Sequence, residues 1–496
     1  MNNTEKNRVI DKSNIFSLLL MYALGALFIY CFSYSTSRLY PYFFGNDSAH
    51  FMTIGRAWLF GKIPYRDLFD HKGPAIYWID MVGYAIGGNK YGIAIIQFIA
   101  ICVSLTAVFQ ISQLKLKNNL YGIATGVITL VLMKNNYQEG NSVEEYCLPF
   151  LFWSAYGLIK YYEEDVDEHK SFFSLIYGLT FGICLTTRVT NIVAICGGIF
   201  VVYIILLLKG KYYNLIMNIV SFVIGLGLIL IPFLVYFHSR ESMEEMIYDS
   251  LFFNFKYAKG CPSWILDAKI KDYISFAKNY FLYLLTFVLS IFTFLRKKYS
   301  LAIAWIITAC AQTYLFMNGY AWKQYPLVCL INVVLILNEC VDLFYSEDKR
   351  KRSLSIVLMI ITGIMMLFFL RSGIKEAVET YKKYSTKETR PWEELFDEIP
   401  EEGRNSFVSY GGNELKESYL LCDVLPCYKY YMIQEWITSF DEKLRLEMRQ
   451  IYSSGNAEWI LSGDYWAPSI REYLDRDYEV YDERNGYILY HKKHLR

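Results

Sequence analysis

The stretch GNDSAHFMTIGRAWLFGKIPYRDLFDHKGPAIYW, residues 45–78, decides how the rest of the chain is read. It sets Asp, His, Lys and Arg among large apolar side chains, directly after an uncharged run over 15–35 that is long enough to cross a bilayer. Ionisable groups gathered at the mouth of a span mark a place where chemistry can happen at the membrane surface.

Working outward from that loop, the chain of 496 residues is 54% apolar and 18% aromatic, yet 20% charged. The charges are crowded between long runs that lack them, as expected where a charge at the centre of a spanning helix costs about 2.5–3.5 kcal/mol. Runs close to the length of a span give about eleven candidates, at 15–35, 91–113, 118–134, 146–160, 171–187, 190–208, 213–237, 279–295, 299–318, 325–344 and 353–371. The segment 74–88 is short and carries Asp80, which predicts an interfacial or re-entrant helix. Lys6, Arg8 and Lys12, then Lys115 and Lys117, Lys209 and Lys211, the cluster at 296–298 and the cluster at 349–352 occupy every second short loop. Retention of Lys and Arg on the cytoplasmic side then predicts a cytoplasmic amino terminus, with an odd number of spans placing the carboxy-terminal region outside. The first span is read as a retained anchor rather than a cleaved signal. A net charge of +1 offers no basic excess for nucleic acid. The eleven cysteines lie mostly within spans and outline neither a zinc site nor a disulfide framework, Cys422 and Cys427 being the one pair open to a bridge.

After Leu370 the composition turns charged and aromatic. Residues 1–371 are therefore read as the membrane domain, with an outer loop at 36–90, and 372–496 as a small extracytoplasmic α/β domain. NSFVSYGG and EWILSGD read as strands, DEKLRLEMRQIYSS and PSIREYLDRD as helices, and the alternation around Asn485-Gly486 as a hairpin.

The candidate site residues all fall on the outer side. Asp47 opens a segment with apolar residues at helical spacing, expected to lie as an amphipathic helix on the membrane surface; Asp47 is either its N-cap or a partly desolvated general base. Lys72 and Arg66, in a loop stiffened by Pro64, Gly73 and Pro74, suit a phosphate at headgroup depth, or else snorkel to the interface. Glu139, Glu144 and Glu145 precede the fourth span and are candidates for a second carboxylate. Arg188 in TTRVTN and Lys323 in NGYAWKQYP add cations to this face. His50, His71 and His238 share it and are the candidate ligands of a divalent metal ion, without spacing of the HExxH sort. The acidic run 163–169 reads as a solvated linker.

A first span, an outer loop opened by Asp47, and DHKGPAIYW closing it resemble the GT-C superfamily of polyprenyl-phosphate-dependent glycosyltransferases. Within it the chain is most similar to the bacterial protein mannosyltransferase-like branch (glycosyltransferase family 39), which includes the aminoarabinose transferases of lipid A. The resemblance implies that Asp47 is the first family carboxylate, Glu144 or Glu145 the second, and Lys72, Gly73 and Pro74 the closing Lys-Pro-Pro-Leu-like motif with Gly for its first Pro. It further implies a multi-pass plasma-membrane enzyme of bacterial type. Such an enzyme takes a polyprenyl-phosphate-linked sugar and transfers it, with inversion, to a hydroxyl of an envelope glycan, lipid or protein. Two other readings are a transporter or flippase of a lipid-linked sugar, and a non-catalytic envelope-assembly protein. A transporter would place its ionisable groups near the bilayer midplane, whereas here they collect at the outer mouth.

Overall fold

The computed structural model describes residues 12–164, 166–260, 270–317, 322–463 and 467–493. Lys6 and Arg8, used above for orientation, lie outside them. All eleven apolar runs are helical. The bundle begins α1 Lys12–Phe32, α2 Asp47–Leu59, α3 Pro74–Gly87, α4 Lys90–Gln113, α5 Asn119–Tyr137, α6 Val143–Glu164, α7 Ser171–Thr187, α8 Cys196–Leu208 and α9 Tyr212–Ser239. It continues with α10 Met243–Ile247, α11 Phe253–Gly260, α12 Ile270–Asn279, α13 Phe281–Leu295, α14 Tyr299–Met317, α15 Ile331–Phe344 and α16 Lys349–Tyr384. Among the described residues, six helices are long and apolar enough to cross a membrane alone, or seven if the pair bent by 72° at Tyr280 counts as one span. The outer ends of α5 and α6 instead turn Lys134, Asn136, Glu144 and Glu145 into the bundle.

Local chemistry sets the helix ends. Asn89 and Asn118 accept the amides of Tyr91 and Tyr121 to start α4 and α5, and Gly88, at φ 69°, closes α3 in the left-handed region. Helices α7 and α9 pack backbone to backbone. A Cβ on Gly178 would lie 2.0 Å from the Phe222 carbonyl oxygen, and one on Gly225 would lie 2.1 Å from that of Leu175. At the end of the bundle away from the 36–90 loop, Lys115 bridges Glu163 and Asp342, Lys298 holds Glu163, and Arg296 pairs with Glu339 and Asp342. The acidic run is thus not a solvated linker throughout. Glu163 belongs to this network, and His169 is buried between Asn218 Oδ1, 2.9 Å away, and the Tyr177 hydroxyl, 3.0 Å away.

Two expectations about the loop and its roof change. Helix α2 does not lie on the lipid surface with a free polar face, because that face is covered by the carboxy-terminal domain. Arg56 spends its guanidinium on the carbonyl of Val424 at 3.0 Å and the carboxylate of Asp423 at 2.5 Å. The boundary at 371 falls inside α16, which runs unbroken to Tyr384; the shift in composition marks where the helix leaves apolar surroundings, not where a fold ends. The outer domain starts with the helix Pro391–Asp397 and carries a four-stranded sheet of order β1-β2-β4-β3, with β1 Phe407–Tyr410, β2 Trp459–Gly463, β3 Tyr478–Arg484 and β4 Tyr487–Lys492. Strands β1 and β2 are parallel, the other pairs antiparallel, and Asn485 and Gly486 make the β3–β4 turn with φ of 49° and 81°. Cys422 and Cys427 are free thiols.

Gly178→Ala and Gly225→Ala should each lower the midpoint of thermal unfolding in detergent, by an amount equivalent to about 1–3 kcal/mol of overpacking. Gly363→Ala, where an added Cβ meets nothing within 4 Å, should leave it unchanged or raise it.

Candidate active site

The outer loop is pinned to the bundle at Gly73. Its amide donates to the Thr187 carbonyl at 2.9 Å, and a Cβ at this position would lie 2.3 Å from the carbonyl carbon of Thr186. Proline would lose the donor and collide, so the end of α7 requires glycine where the resembling motif has its first proline. Just before it, the Lys72 carbonyl accepts the Tyr65 hydroxyl at 2.8 Å and that of Tyr77 at 3.4 Å. Asn254, on α11, donates to the His71 carbonyl at 2.8 Å, and the Phe69 amide donates to Lys429 of the outer domain at 2.9 Å.

This anchoring sets Lys72 between two cavities. One, of about 330 Å³, is largely apolar, with Leu185, Leu230, Phe233, Leu234 and Leu251 on its walls and Arg188 at its polar end. The other, of about 560 Å³, is lined by Asp47, His50, Gln324 and Trp322 from the membrane domain and by Glu414 and Trp436 from the outer domain. His71, Lys72, Tyr257 and Tyr325 face both.

Arg188 follows the last turn of α7 in extended conformation. It pairs with buried Glu144 at 3.1 Å, and its guanidinium carbon stands 3.1 Å from the centroid of Tyr325. Glu145, one residue on, points into the core, where it accepts from the Tyr137 hydroxyl at 2.7 Å, Gln97 at 2.9 Å and the Asn141 amide at 2.9 Å. Helical phase therefore separates the two glutamates: Glu144 reaches the cationic end of the apolar cavity and Glu145 does not.

Asp47 is the first residue of α2, but Asn46 occupies the cap position and no side chain caps the helix. Instead Glu139 reaches across from the α5–α6 loop, accepting the Asn46 amide at 2.7 Å and its side-chain amide at 3.0 Å. The Asp47 carboxylate is exposed to the cavity rather than desolvated, and a chain of amides leads to it: Gln138 donates to Gln324 at 2.7 Å, and Gln324 to Asp47 at 3.4 Å.

Besides Glu145, three predicted residues are not brought to this place. Arg66 is exposed and forks onto its neighbour Asp67 at 2.8 and 3.0 Å. The side chain of Lys323 lines neither cavity, while its carbonyl accepts Asn136 at 2.5 Å; the next two residues, Gln324 and Tyr325, are the ones at the site. His238 is exposed near the end of α9. Among the described residues, no three His, Cys, Asp or Glu side chains come together in a way that could hold a metal ion.

Asp70, His71 and Lys72 form a short polar chain. Lys72 Nζ lies 2.7 Å from His71 Nε2, so the imidazole accepts there and carries its proton on Nδ1, 3.1 Å from Asp70 Oδ1 at an angle too bent for a formed hydrogen bond. Burial lowers His71, with help from the Lys72 charge, and burial likewise lowers His50 and Lys72. Burial pushes the Asp70 carboxyl up, but the His71 imidazole and the charges of His71, Lys72 and His50 outweigh it and hold the group well below the usual carboxylate range.

The family described as "Putative competence-induced protein Ccs4 N-terminal domain" matches residues 3–374. The chain belongs to this family. In this Ccs4-family chain the match covers the helical bundle and leaves the outer domain outside it. No curated protein sequence matches the chain. Among solved structures, ArnT from Cupriavidus metallidurans bound to undecaprenyl phosphate is similar at a TM-score of 0.53 and 11% identity, over 95% of this chain and 97% of that one. The archaeal oligosaccharyltransferase AglB from Archaeoglobus fulgidus, in complex with an inhibitory peptide and a dolichol-phosphate, aligns at a TM-score of 0.49 and 10% identity, over 97% of this chain and 74% of that one. The Ccs4-family chain shares the helical membrane fold of ArnT.

Two measurements probe the charges. Glu144→Gln leaves the Arg188 guanidinium without its carboxylate and should cost about 3–5 kcal/mol of stability, much of it recovered in Glu144→Gln/Arg188→Met, read by thermal unfolding. Because burial makes His71 and His50 titrate below the ordinary histidine value of 6.5 in the folded chain, the unfolded chain binds more protons below that pH, and stability should fall on acidification from there. Asp70, lowered from 3.8, adds a further loss below that value; His71→Gln should flatten the first phase of the melting-temperature profile.

Proposed function

We propose that the chain is a membrane glycosyltransferase. It moves a sugar from a polyprenyl-phosphate donor to an acceptor hydroxyl on the outer face of a bacterial plasma membrane, with inversion at the anomeric carbon. The observation that carries this is the meeting of an apolar cavity and a polar one at Lys72, with Arg188 beside the first and Asp47 facing the second. The fold shared with ArnT, whose solved structure contains undecaprenyl phosphate, supports the choice of donor.

In this reading the isoprenoid chain lies against the leucines of the smaller cavity and its phosphate meets Lys72 and Arg188. As the glycosidic bond breaks, negative charge grows on the departing phosphate, and two fixed cations stabilise that charge more than they stabilise the diester. Asp47 takes the proton of the attacking hydroxyl from the opposite side of the anomeric carbon. Gln324, held by Gln138, orients the carboxylate, and Glu144 orients Arg188 on the face of Tyr325. Among the described residues no cluster of His, Cys, Asp or Glu could hold a divalent ion by itself, so such an ion would need the donor's own oxygens to complete its shell. Transport is less well supported, since Glu339 and Asp342, the acidic groups of α15, are paired with Arg296 and Lys115.

The test is release of polyprenyl phosphate from a panel of polyprenyl-phosphate sugars incubated with purified protein and cell-envelope acceptors, with and without divalent metal. Asp47→Asn should lower the rate at least 10²-fold, the range expected for loss of a general base, while thermal unfolding stays unchanged. Absence of turnover with every donor, or full activity in Asp47→Asn, overturns the proposal.

A further inference from the structure

The loop between α5 and α6, residues 138–142, holds three consecutive residues at the start of α2. Glu139 accepts from Asn46, Gln138 reaches Asp47 through Gln324, and the Asn141 side-chain amide donates to the Ser48 hydroxyl at 2.9 Å. The backbone of so short a stretch is costly. Gln138, Gly140 and Asn141 have positive φ, of 51°, 78° and 56°, and Gln138, with a ψ of −112°, lies outside the left-handed well altogether. A conformation of this kind persists only where the surrounding contacts enforce it, and such strain gathers where geometry matters to function. Gly140 is equally fixed, since a Cβ there would lie 2.2 Å from the Ser33 hydroxyl oxygen.

Asn141 is the centre of this bonding. It is buried, lines neither cavity, and uses every polar group of its side chain. Its Nδ2 donates to Ser48 of α2 and, at 3.0 Å, to Asp80 of α3, while its Oδ1 accepts the hydroxyl of Tyr146 of α6 at 2.8 Å. Its backbone amide donates to Glu145, also of α6, at 2.9 Å. Each of these three helices carries one residue of the proposed site at its start. Asp47 is the first residue of α2, Lys72 lies two residues before the first of α3, and Glu144 is the second of α6. The other oxygen of Asp80 has no hydrogen-bond partner among the described residues, so the tie to α3 rests on Asn141. Aspartate at 141 would set a second carboxylate against Asp80. Alanine would leave Asp80 and the Tyr146 hydroxyl unpaired in the core and would have to adopt a positive φ, which asparagine accepts more readily.

We infer that Asn141 is a positioning residue, holding Asp47, Lys72 and Glu144 at fixed separations by tying together the three helices that present them. Its effect on catalysis rests on the glycosyltransferase reading above; the tie itself does not.

Two variants cut the tie to different extents. Asn141→Gly keeps the left-handed backbone and removes the whole side chain, whereas Ser48→Ala cuts the link to α2 alone and decides the matter if the first variant does not fold. With full-length protein in nanodiscs and a donor that the parent turns over, kcat should fall about 10²-fold in Asn141→Gly and about 10-fold in Ser48→Ala, the scale on which displacing a reacting group by about 1 Å acts. KM for the donor should stay within about 3-fold, because a contact that matters in the transition state alone is lost from kcat. Since Ser48 acts through Asp47, Asp47→Asn/Ser48→Ala should be no slower than Asp47→Asn, whereas a general loss of structure would multiply the two effects. Asp80→Asn, which keeps an oxygen to accept from Asn141, should recover most of what Asp80→Ala loses. Hydrogen exchange needs no turnover: amides of 50–54 and 77–81 should exchange faster in Asn141→Gly, and those of 50–54 in Ser48→Ala, with the β2 amides at 459–463 as in the parent. The inference is overturned if the variants keep the parent's kcat, if KM rather than kcat carries the change, if the effects of Asp47→Asn and Ser48→Ala multiply, or if exchange in the helices matches the parent. A parent that turns over no donor removes the glycosyltransferase reading, and hydrogen exchange then decides this inference by itself.

Discussion

Gly73 lies against the last turn of α7, and the hydrogen bond across that contact fastens a long extramembrane loop to the helical bundle. Everything chemical follows from this one close approach. It carries Lys72 to the vicinity of Arg188, separates an apolar cavity from a polar one, and turns the His71 side chain between them. A side chain at residue 73 would hold the loop away from α7 and leave the two cations on separate surfaces.

The electrostatics around that contact are incomplete by design of the packing. Arg188 has one carboxylate, Glu144, and one aromatic face, Tyr325, which together orient a guanidinium without exhausting its donors. Lys72 leans on a neutral imidazole rather than on a carboxylate. By contrast, the charges at the far end of the bundle are paired with one another, as in the Lys115, Glu163 and Lys298 cluster. One end is built to stay closed and the other to receive charge from outside.

The apolar runs were legible because hydropathy is local, and the hairpin at Asn485-Gly486 because the turn it makes demands those residue types. Asp47 and Lys72 could be set on one side of the bundle because a single loop carries both, although Gln324 and Thr187, which hold that loop in place, lie far along the chain. Arg66 was misplaced for the converse reason: the aspartate beside it in sequence satisfies it first. Gln324 and Tyr325 were passed over in favour of charged Lys323, since nothing local reveals which of three consecutive residues a 3-10 turn will aim inward. Glu144 and Glu145 differ only in helical phase, and the phase is set by packing against Tyr137 of the preceding helix and against Gln97, 48 residues away in sequence. Trp322 and Trp436 line one cavity only after the carboxy-terminal domain has folded back over α2, a contact with no signature in either segment.

Helix α16 gives the roof of the site an unusual kind of precision. It is 36 residues long, unbroken from the base of the bundle to Tyr384, whose ring packs on Phe43 at 4.5 Å, and residues 385–390 then lead into the outer domain. A helix advances about 1.5 Å and turns about 100° per residue. The height and facing of the roof over Asp47 are therefore read out in helical phase, like the vernier of a caliper whose fixed jaw is the bundle. In such a frame, the height of the space over Asp47 is a property of backbone length, and it can be retuned without altering a single residue that lines it.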